Sequence, residues 1–220
     1  LRFGLLPTQV RPGIVAALAR DIATRGNHLS TGFVGTPHLP FALSENGRAD
    51  IAYALLNQRA WPSWLYSVTQ GATTIWERWD GWTQDKGFQT PDMNSFNHYA
   101  YGAIGAWLYA VVAGIDVDET QPGFKRIMFR PQPGGGITQA EAALDGPYGR
   151  IESAWRARGP VWRWRVAVPP NSTAAAWVPA PEAARVTADG GTLVTRTADR
   201  AIYALGAGRY TFLVEGWPKT

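Results

Sequence analysis

The carboxylate of Glu77 has the most chemically informative surroundings in this 220-residue sequence. It lies in the run GATTIWERWDGW at 71–82, directly after Trp76 and two residues before Trp79. Aromatic neighbours partly exclude water from a carboxylate and raise its pKa toward a range useful for a general base, whereas the adjacent Arg78 opposes that shift. The residues alone leave two interpretations open: a base, or an ordinary surface ion pair with Arg78 flanked by packing tryptophans.

A second candidate, His98, lies in the run MNSFNHYAY at 93–101. An imidazole can hydrogen-bond a ligand or exchange a proton near neutral pH, but a satisfied histidine at the start of a core helix fits the pattern equally well. His28 and His38 share no metal-ligand spacing with it, so we expect no metal site. Other acidic side chains of this region are expected to be solvated: Asp80, Asp85 and Asp92.

The composition excludes several functional classes. Without cysteine there can be no disulfide framework, thiolate zinc site or cysteine nucleophile. The net charge of +4 comes from arginines and lysines spread singly along the chain, so nucleic acid is not a predicted partner. The longest charge-free apolar stretch, Ala100–Ile115, is shorter than the about 20 residues of a membrane span. Eleven tryptophans favour carbohydrate, because an indole can stack on the C–H face of a sugar.

The elements that must position these groups change character near residue 116. Up to Ile115 the apolar residues recur with helical period, whereas beyond Asp116 short alternating runs are separated by proline and glycine clusters. We therefore predict two domains, at residues 1–115 and 116–220, in a multidomain α and β protein.

Four helices are predicted for the first domain from apolar periodicity and from the residues at their ends. They span about 12–26, 46–61, 62–71 and 94–114, the last with Asn94 or Ser95 as its N-cap. We expect no strand between residues 30 and 110. The connections at 30–45 and 71–92 are predicted to carry the site.

Eight short strands predict an antiparallel β-sandwich in the second domain. They are expected at 125–131, 137–144, 149–158, 161–168, 174–178, 192–197, 200–205 and 210–214. In the run Val161–Val168, Trp162 and Trp164 share one face, and Arg163 and Arg165 the other. Core packing is therefore favoured over glycan binding for the tryptophans of this half: Trp155, Trp162, Trp164, Trp177 and Trp217.

Three blocks of the sequence resemble the catalytic domain of bacterial α-L-rhamnosidases, glycoside hydrolase family 78. They are TGFVGTPHLPFALSENGRADIAYALLNQRAWPSW at 31–64, GATTIWERWDGW at 71–82 and MNSFNHYAYGAIGAWLYAVVAGI at 93–115. The strand-rich half is similar to the C-terminal β-sandwich of that family. This resemblance implies a partial (α/α)6 barrel followed by the sandwich.

The resemblance also implies an activity, the inverting hydrolysis of terminal α-L-rhamnosyl residues from glycosides or polysaccharides, without a cofactor. Glu77 matches the general base of the family, and His98 matches a histidine that contacts the sugar in the −1 subsite. Trp76 and Trp79 flank the base and are expected to bind substrate by shaping that subsite.

The general acid of the family lies upstream, in a segment that this sequence does not contain. The sequence also starts without an initiating methionine, and we expect it to be part of a longer protein. Inversion needs two carboxyl groups about 6.5–9.5 Å apart, so we expect the isolated chain to be inactive. Two alternatives remain open: another (α/α)6-barrel glycosidase or lyase, and a non-catalytic carbohydrate-binding or structural fragment. If Glu77 is not the base, the acid and base must be sought among Glu45, Asp80, Asp85 and Asp92.

Overall fold

The computed structural model describes residues 1–218 and contains two compact units. The first unit is Leu1–Trp107, and the second begins at Leu108. Helices dominate the first unit and strands the second, which confirms the predicted fold class. The predicted domain boundary between residues 115 and 116 stays a prediction.

The first unit is built from short helices. Its α-helices are α1 Arg11–Thr24, α2 Leu39–Ser44, α3 Ala49–Asn57, α4 Trp64–Thr69 and α5 Ile104–Trp107. Pro12 lies in the first turn of α1 and Gly26 follows its end at a φ of 66°, as predicted. The helix α2 was not predicted, because it falls inside the connection expected at 30–45.

The core of the first unit gathers α2, α3 and α5. Leu43, Tyr53, Leu55 and Trp107 are each at most 1% exposed. The ring of Tyr53 meets Trp107 edge-on at 5.0 Å, and the indole N–H of Trp107 donates to Ser44 Oγ at 2.9 Å. Burial of these side chains, with a partner for the buried indole, holds the three helices together.

The start predicted for the fourth helix is wrong. Helical structure begins at Ala100, as a 3₁₀ helix Ala100–Ala103, then α5, then a π-helix Leu108–Ala113. Residues 95–98 cannot enter the helix, since their backbone groups bond to residues 74–77 instead. The apolar pattern of this stretch was visible, but that competing partner was not.

A small ladder corrects a second expectation. Strand β1, Trp82–Thr83, pairs antiparallel with β2, Gly87–Phe88. A strand pair therefore exists between residues 30 and 110. Its four residues form a tight hairpin within the connection at 71–92 and leave the helical class of the unit unchanged.

The second unit contains two five-stranded sheets. Its strands are β3 Ile115–Val117, β4 Arg126–Phe129, β5 Gln139–Gly146, β6 Gly149–Arg158, β7 Val161–Val168, β8 Thr173–Pro179, β9 Arg185–Ala188, β10 Thr192–Arg196, β11 Arg200–Leu205 and β12 Gly208–Glu215. The sheet orders are β10-β11-β8-β4-β3 and β5-β6-β7-β12-β9. The eight predicted strands are confirmed, and β3 and β9 are additional. One pair, β4 with β8, is parallel, which the antiparallel prediction missed.

Aromatic rings join the two sheets into a sandwich. Phe129 of one sheet lies 6.1 Å from Trp164 of the other, and Tyr203 lies 5.1 Å from Phe212. Trp162 and Trp164 are fully buried, as their alternation with exposed arginines predicts. Core packing is confirmed for four of the five tryptophans of this half: Trp155, Trp162, Trp164 and Trp217. Trp177 is only half-buried.

The C-terminal end of the π-helix is tied to strand β6. Ser153 Oγ donates to the carbonyl of Ala113 at 2.6 Å, and the Trp155 indole donates to the carbonyl of Val112 at 2.7 Å. The Trp164 indole in turn donates to Ser153 Oγ at 2.9 Å. Carbonyls that a helix end leaves without an intrahelical partner are thus satisfied by buried side chains.

Candidate functional site

Two irregular segments of the first unit lie side by side and carry the predicted site residues. The Glu77 N–H donates to the Ser95 carbonyl at 2.8 Å, and the His98 N–H donates to the Ile75 carbonyl at 2.9 Å. Thr74 Oγ1 also donates to the Phe96 carbonyl. We call residues 74–80 and 94–98 the paired segments. Their pairing brings Glu77 and His98 onto neighbouring stretches of chain.

The carboxylate of Glu77 is held at one oxygen. Its Oε2 accepts a hydrogen bond from the Ser95 N–H at 2.7 Å, and the side chain is half-buried. Its Oε1 accepts no hydrogen bond from residues 1–218. One oxygen is therefore fixed in place, while the other can accept a proton or a hydrogen bond from a ligand.

Arg78 does not form an ion pair with Glu77. Its guanidinium instead makes a two-point contact with Asp80, with Nε to Oδ1 at 3.0 Å and Nη2 to Oδ2 at 3.1 Å. A bidentate contact of this kind fixes both partners. The interpretation of Glu77 and Arg78 as a simple surface ion pair is therefore wrong.

Electrostatics argue against two of the alternative acids. The hydrogen bond from Arg78 holds the pKa of Asp80 below its ordinary value, although partial burial opposes the shift. The nearby Thr83 hydroxyl and the backbone N–H groups around Asp85 likewise lower the pKa of this carboxyl group. A general acid must keep its proton near neutral pH, which needs a raised pKa. Both groups are shifted in the opposite direction. Glu45, a third alternative, forms an ion pair with Arg2.

His98 is packed between aromatic rings outside the helix. Its ring is stacked on Phe33 at 5.0 Å and on Tyr99 at 5.3 Å. Its Nδ1 lies 3.3 Å from the Ala100 N–H, a bond in which a backbone donor requires an imidazole acceptor. This bond assigns the remaining ring proton to Nε2. The half-buried His98 therefore has an N–H donor that no residue of 1–218 uses.

Trp79 is fixed by three contacts. Its ring is stacked on Tyr101 at 3.6 Å, Trp64 meets it edge-on at 5.5 Å, and its indole donates to the Thr31 carbonyl at 3.1 Å. The side chain remains half-buried. Since Tyr101 covers one ring face, the exposed part of Trp79 is a rigid surface whose position is set by its neighbours.

Trp76 is more deeply placed than its neighbour in sequence. It is 8% exposed and meets Phe96 edge-on at 5.1 Å. Its ring therefore packs against the second of the paired segments and is almost completely covered. The two predicted tryptophans differ in the surface that they offer to a ligand.

Asn94, the first residue of the second paired segment, is tied to the chain that follows the first one. Its Nδ2 donates to the carbonyl of Gly81 at 2.9 Å and lies 3.4 Å from the carbonyl of Gln89. A Cβ at Gly81 would lie 2.8 Å from Asn94 Oδ1, so a side chain there would displace the amide. This contact precedes the Ser95 N–H that holds Glu77.

Three contributors to this site were missed from the sequence. Asn94 was interpreted as a helix cap, and Ser95 acts through its backbone N–H. Phe33 lies 65 positions before His98, and no local pattern links the two residues. A backbone donor leaves no signal in residue type. Phe33 could have been noted as an aromatic residue inside the first of the three family-like blocks.

In the part of the chain that the structure describes, no three His, Cys, Asp or Glu side chains are grouped so that they could hold a metal ion. Within the same residues, no helix combines the length and apolar character that crossing a membrane requires.

Comparison with protein families accounts for both units. Residues 1–112 match the model described as the bacterial α-L-rhamnosidase 6 hairpin glycosidase domain. Residues 114–192 match the bacterial α-L-rhamnosidase C-terminal domain. The chain belongs to the bacterial α-L-rhamnosidase family. The expected resemblance is thereby confirmed, including the partial helical barrel followed by a sandwich.

Individual rhamnosidases are similar along most of the chain. An α-L-rhamnosidase of Streptomyces avermitilis is 42% identical over 97% of the chain, and one of Formosa agariphila is 44% identical over 81%. The crystal structure of the Streptomyces avermitilis enzyme complexed with L-rhamnose superimposes with a TM-score of 0.92. The α-L-rhamnosidase from Dictyoglumus thermophilum, 30% identical, superimposes with a TM-score of 0.86 and covers 97% of the chain.

These rhamnosidases are much longer than the chain. The match spans 21% of the Streptomyces avermitilis protein and 19% of the Formosa agariphila protein. The solved structures give the same proportion, at 21% and 24% of their chains. The chain therefore spans about a fifth of the length of the relatives that it matches.

Proposed function

We propose that this chain supplies the water-activating part of an inverting α-L-rhamnosidase, with Glu77 as the general base. The observation that carries the proposal is the state of the Glu77 carboxylate: Oε2 is held by the Ser95 N–H, Oε1 has no partner within residues 1–218, and Arg78 is bound to Asp80. The relatives named α-L-rhamnosidase, one of them solved with L-rhamnose, support the choice of substrate.

The proposed chemistry uses the unbound oxygen of Glu77. A water molecule hydrogen-bonded to Oε1 loses a proton to it while attacking the anomeric carbon of a terminal α-L-rhamnosyl residue. The leaving glycosidic oxygen receives a proton from a second carboxyl group on the opposite face of the sugar. The Ser95 hydrogen bond limits rotation of the carboxylate, so that Oε1 keeps its direction toward the water.

His98 and Trp79 are proposed to bind the sugar, and Trp76 is proposed to support the same subsite. The Nε2–H of His98 donates to a hydroxyl of the rhamnosyl ring, and the stacked Phe33 keeps the imidazole from turning. The half-exposed Trp79 forms a wall of the same subsite, in a position that Tyr101 fixes. The buried Trp76 acts indirectly, because its contact with Phe96 helps to hold together the paired segments that carry Glu77 and His98.

The general acid is proposed to come from the part of the enzyme that this chain does not span. Asp80 and Asp85 are unsuited to the role, because their pKa values are lowered. We accordingly propose that residues 1–115 are the C-terminal part of the catalytic barrel and that residues 116–220 are the following sandwich. A single carboxyl group of an inverting pair cannot sustain turnover, so the 220-residue chain alone should not hydrolyse rhamnosides.

The test replaces Glu77 by glutamine in a full-length enzyme that carries this sequence. An amide cannot accept the proton of water, so kcat on an aryl α-L-rhamnoside should fall about 10²- to 10⁴-fold while KM changes little. Asp92→Asn is the matched control, since it neutralises an exposed carboxylate near the same segments, and it should leave both constants unchanged.

Two further measurements separate base, ligand contact and stereochemistry. His98→Ala should raise KM and lower kcat, because its hydrogen bond is made in the ground and transition states alike. The first product seen by proton NMR should be the β-anomer of rhamnose, as inversion demands. A full rate in Glu77→Gln, or an α-anomer as first product, would contradict the proposed roles.

A further inference from the structure

The outer face of the sheet β5-β6-β7-β12-β9 contains an open depression surrounded by arginines. It has a cavity volume of about 380 Å³ and is lined by Arg156, Arg163, Arg165, Gln139, Glu141 and Ala154. We call it the arginine depression. Ala154 is the Cα partner of Arg165, and its small side chain leaves the space between the longer ones.

The three arginines of the depression have no partner within the described residues. Neither an ion pair nor a hydrogen bond joins any of their guanidinium groups to residues 1–218. Other arginines of the same face are paired: Arg150 with Asp145 at 3.2 Å, Arg209 with Glu152 at 2.6 Å and Arg185 with Glu215 at 3.9 Å. The depression is therefore a place where unpaired arginines of two adjacent strands meet; Arg158, farther along β6, also has no partner within residues 1–218.

The register places two of these charges against each other. Arg156 on β6 is the direct Cα partner of Arg163 on β7. Side chains at such positions are separated by only about 4.5–5.5 Å at their Cβ atoms, and like charges there destabilise a sheet. An anion that bridges both guanidinium groups would convert this repulsion into attraction.

The chemistry of the lining selects the kind of anion. A guanidinium presents a planar fork of N–H donors that matches a carboxylate at two points, and Gln139 adds an amide beside them. Glu141 limits the positive region on the β5 side, and Asp145 and Glu152 lie farther along the same face. These carboxylates interrupt the positive charge of the face. The interruption is unfavourable for a uniformly charged polyphosphate and compatible with a ligand whose carboxylates are spaced apart along its chain.

We propose that the arginine depression binds the carboxylates of a uronate-containing polysaccharide. The open shape suits one stretch of an extended glycan chain, with a sugar ring over Ala154 and its carboxylate between Arg156 and Arg163. The site lies in the sandwich and does not involve Glu77, so it stands or falls independently of the proposed hydrolysis.

Isothermal titration of the 220-residue chain with oligogalacturonate tests the proposal. The matched ligand is methyl-esterified oligogalacturonate, which has the same backbone without the charges. The variant Arg156→Gln/Arg163→Gln removes two charges from the depression, and Arg185→Gln/Arg209→Gln removes two charges from paired arginines on the same face. Thermal unfolding verifies folding, and the first variant should be at least as stable as the parent because the cross-strand repulsion is gone.

Oligogalacturonate should bind the parent chain and the ester should not. The affinity should fall at least about tenfold in Arg156→Gln/Arg163→Gln and less than about twofold in Arg185→Gln/Arg209→Gln, since charge-assisted hydrogen bonds exceed diffuse attraction. Equal losses in both variants, or equal binding of the ester, would overturn the proposal. So would dextran sulfate or duplex DNA binding as tightly as the uronate, because the depression would then be a general polyanion surface.

Discussion

The paired segments of the first unit and the sandwich core of the second unit are held by different forces. The half-buried side chain of Glu77 is held by a single hydrogen bond, from the Ser95 N–H. Trp164 and Phe212 are fully buried among other rings. A buried aromatic ring contributes several times the free energy of one hydrogen bond. The sandwich core should therefore contribute more to the free energy of unfolding than the paired segments that carry the proposed chemistry.

The largest effect is expected from Trp164→Ala, which attacks the sandwich core. The substitution leaves a cavity beside Phe129 and Phe212 and removes the donor to Ser153. The free energy of unfolding should fall by about 3–5 kcal/mol, measured by urea denaturation. Trp177→Ala is the control, because that ring is half-buried. If both variants lost the same stability, the contrast between core and surface tryptophans would be wrong.

A smaller loss is expected when the buried polar link in the same unit is broken. Ser153→Ala leaves the Ala113 carbonyl and the Trp164 indole without their partner. The free energy of unfolding should fall by about 1–3 kcal/mol, measured by urea denaturation. Ser172 is the matched control, since its Oγ is buried with no hydrogen-bond partner within the described residues. Ser172→Ala should cost nothing, and a comparable loss there would show that serine size, not bonding, matters.

Asn94→Ala tests the hydrogen bond that ties the second paired segment to Gly81. Removing the amide releases the Gly81 carbonyl, and about 1 kcal/mol of stability should be lost. In a full-length enzyme kcat should fall about tenfold with KM nearly constant, because the Ser95 N–H no longer fixes Glu77. Asn97→Ala, at an exposed position of the same segment, should change neither quantity. A drop in stability with full kcat would assign Asn94 a purely structural role.

The smallest effect concerns the ion pair of Arg78 with Asp80. The pKa of Asp80 is lower in the folded chain than in the unfolded one, so the pair stabilises above about pH 4 and is lost as the pH falls through the folded value. Asp80→Asn should cost less than about 1 kcal/mol at pH 7, because both groups are partly exposed.

The pH dependence of the free energy of unfolding tests the direction of this pKa shift. The difference between parent and Asp80→Asn in urea denaturation should shrink toward zero when measured at pH 3. Asp92→Asn, at an exposed carboxylate without an ion pair within residues 1–218, should leave the free energy of unfolding unchanged at pH 7. A difference that grew on acidification would mean that Arg78 does not stabilise the ionised form of Asp80.

The sandwich was largely predictable, because period-two alternation is a local property. The faces of Val161–Val168 follow from the order of Trp and Arg along the run. Strands β3 and β9 escaped notice, since three or four residues are too few to show a period. The parallel pairing of β4 with β8 is a tertiary choice that neither strand encodes alone.

The site was predictable in its residue types and not in its architecture. Glu77 and His98 were identified from their runs, whereas the backbone pairing at Ser95 was mistaken for the start of a helix. Helix propensity at residues 94–99 competes with hydrogen bonds to residues 74–77, and the partner lies about twenty positions away. Such competition is decided by tertiary contacts that local patterns do not carry.

The parallel ladder between β4 and β8 has a kinetic consequence. The strands β5, β6 and β7 lie between its two members in the chain and pair with one another through short turns. These hairpins can form early, whereas the ladder must first close the long loop that contains them and lose the corresponding chain entropy. The sheet carrying Phe129 should therefore assemble late in folding, after the meander that provides Trp164 has already formed a surface on which it can condense.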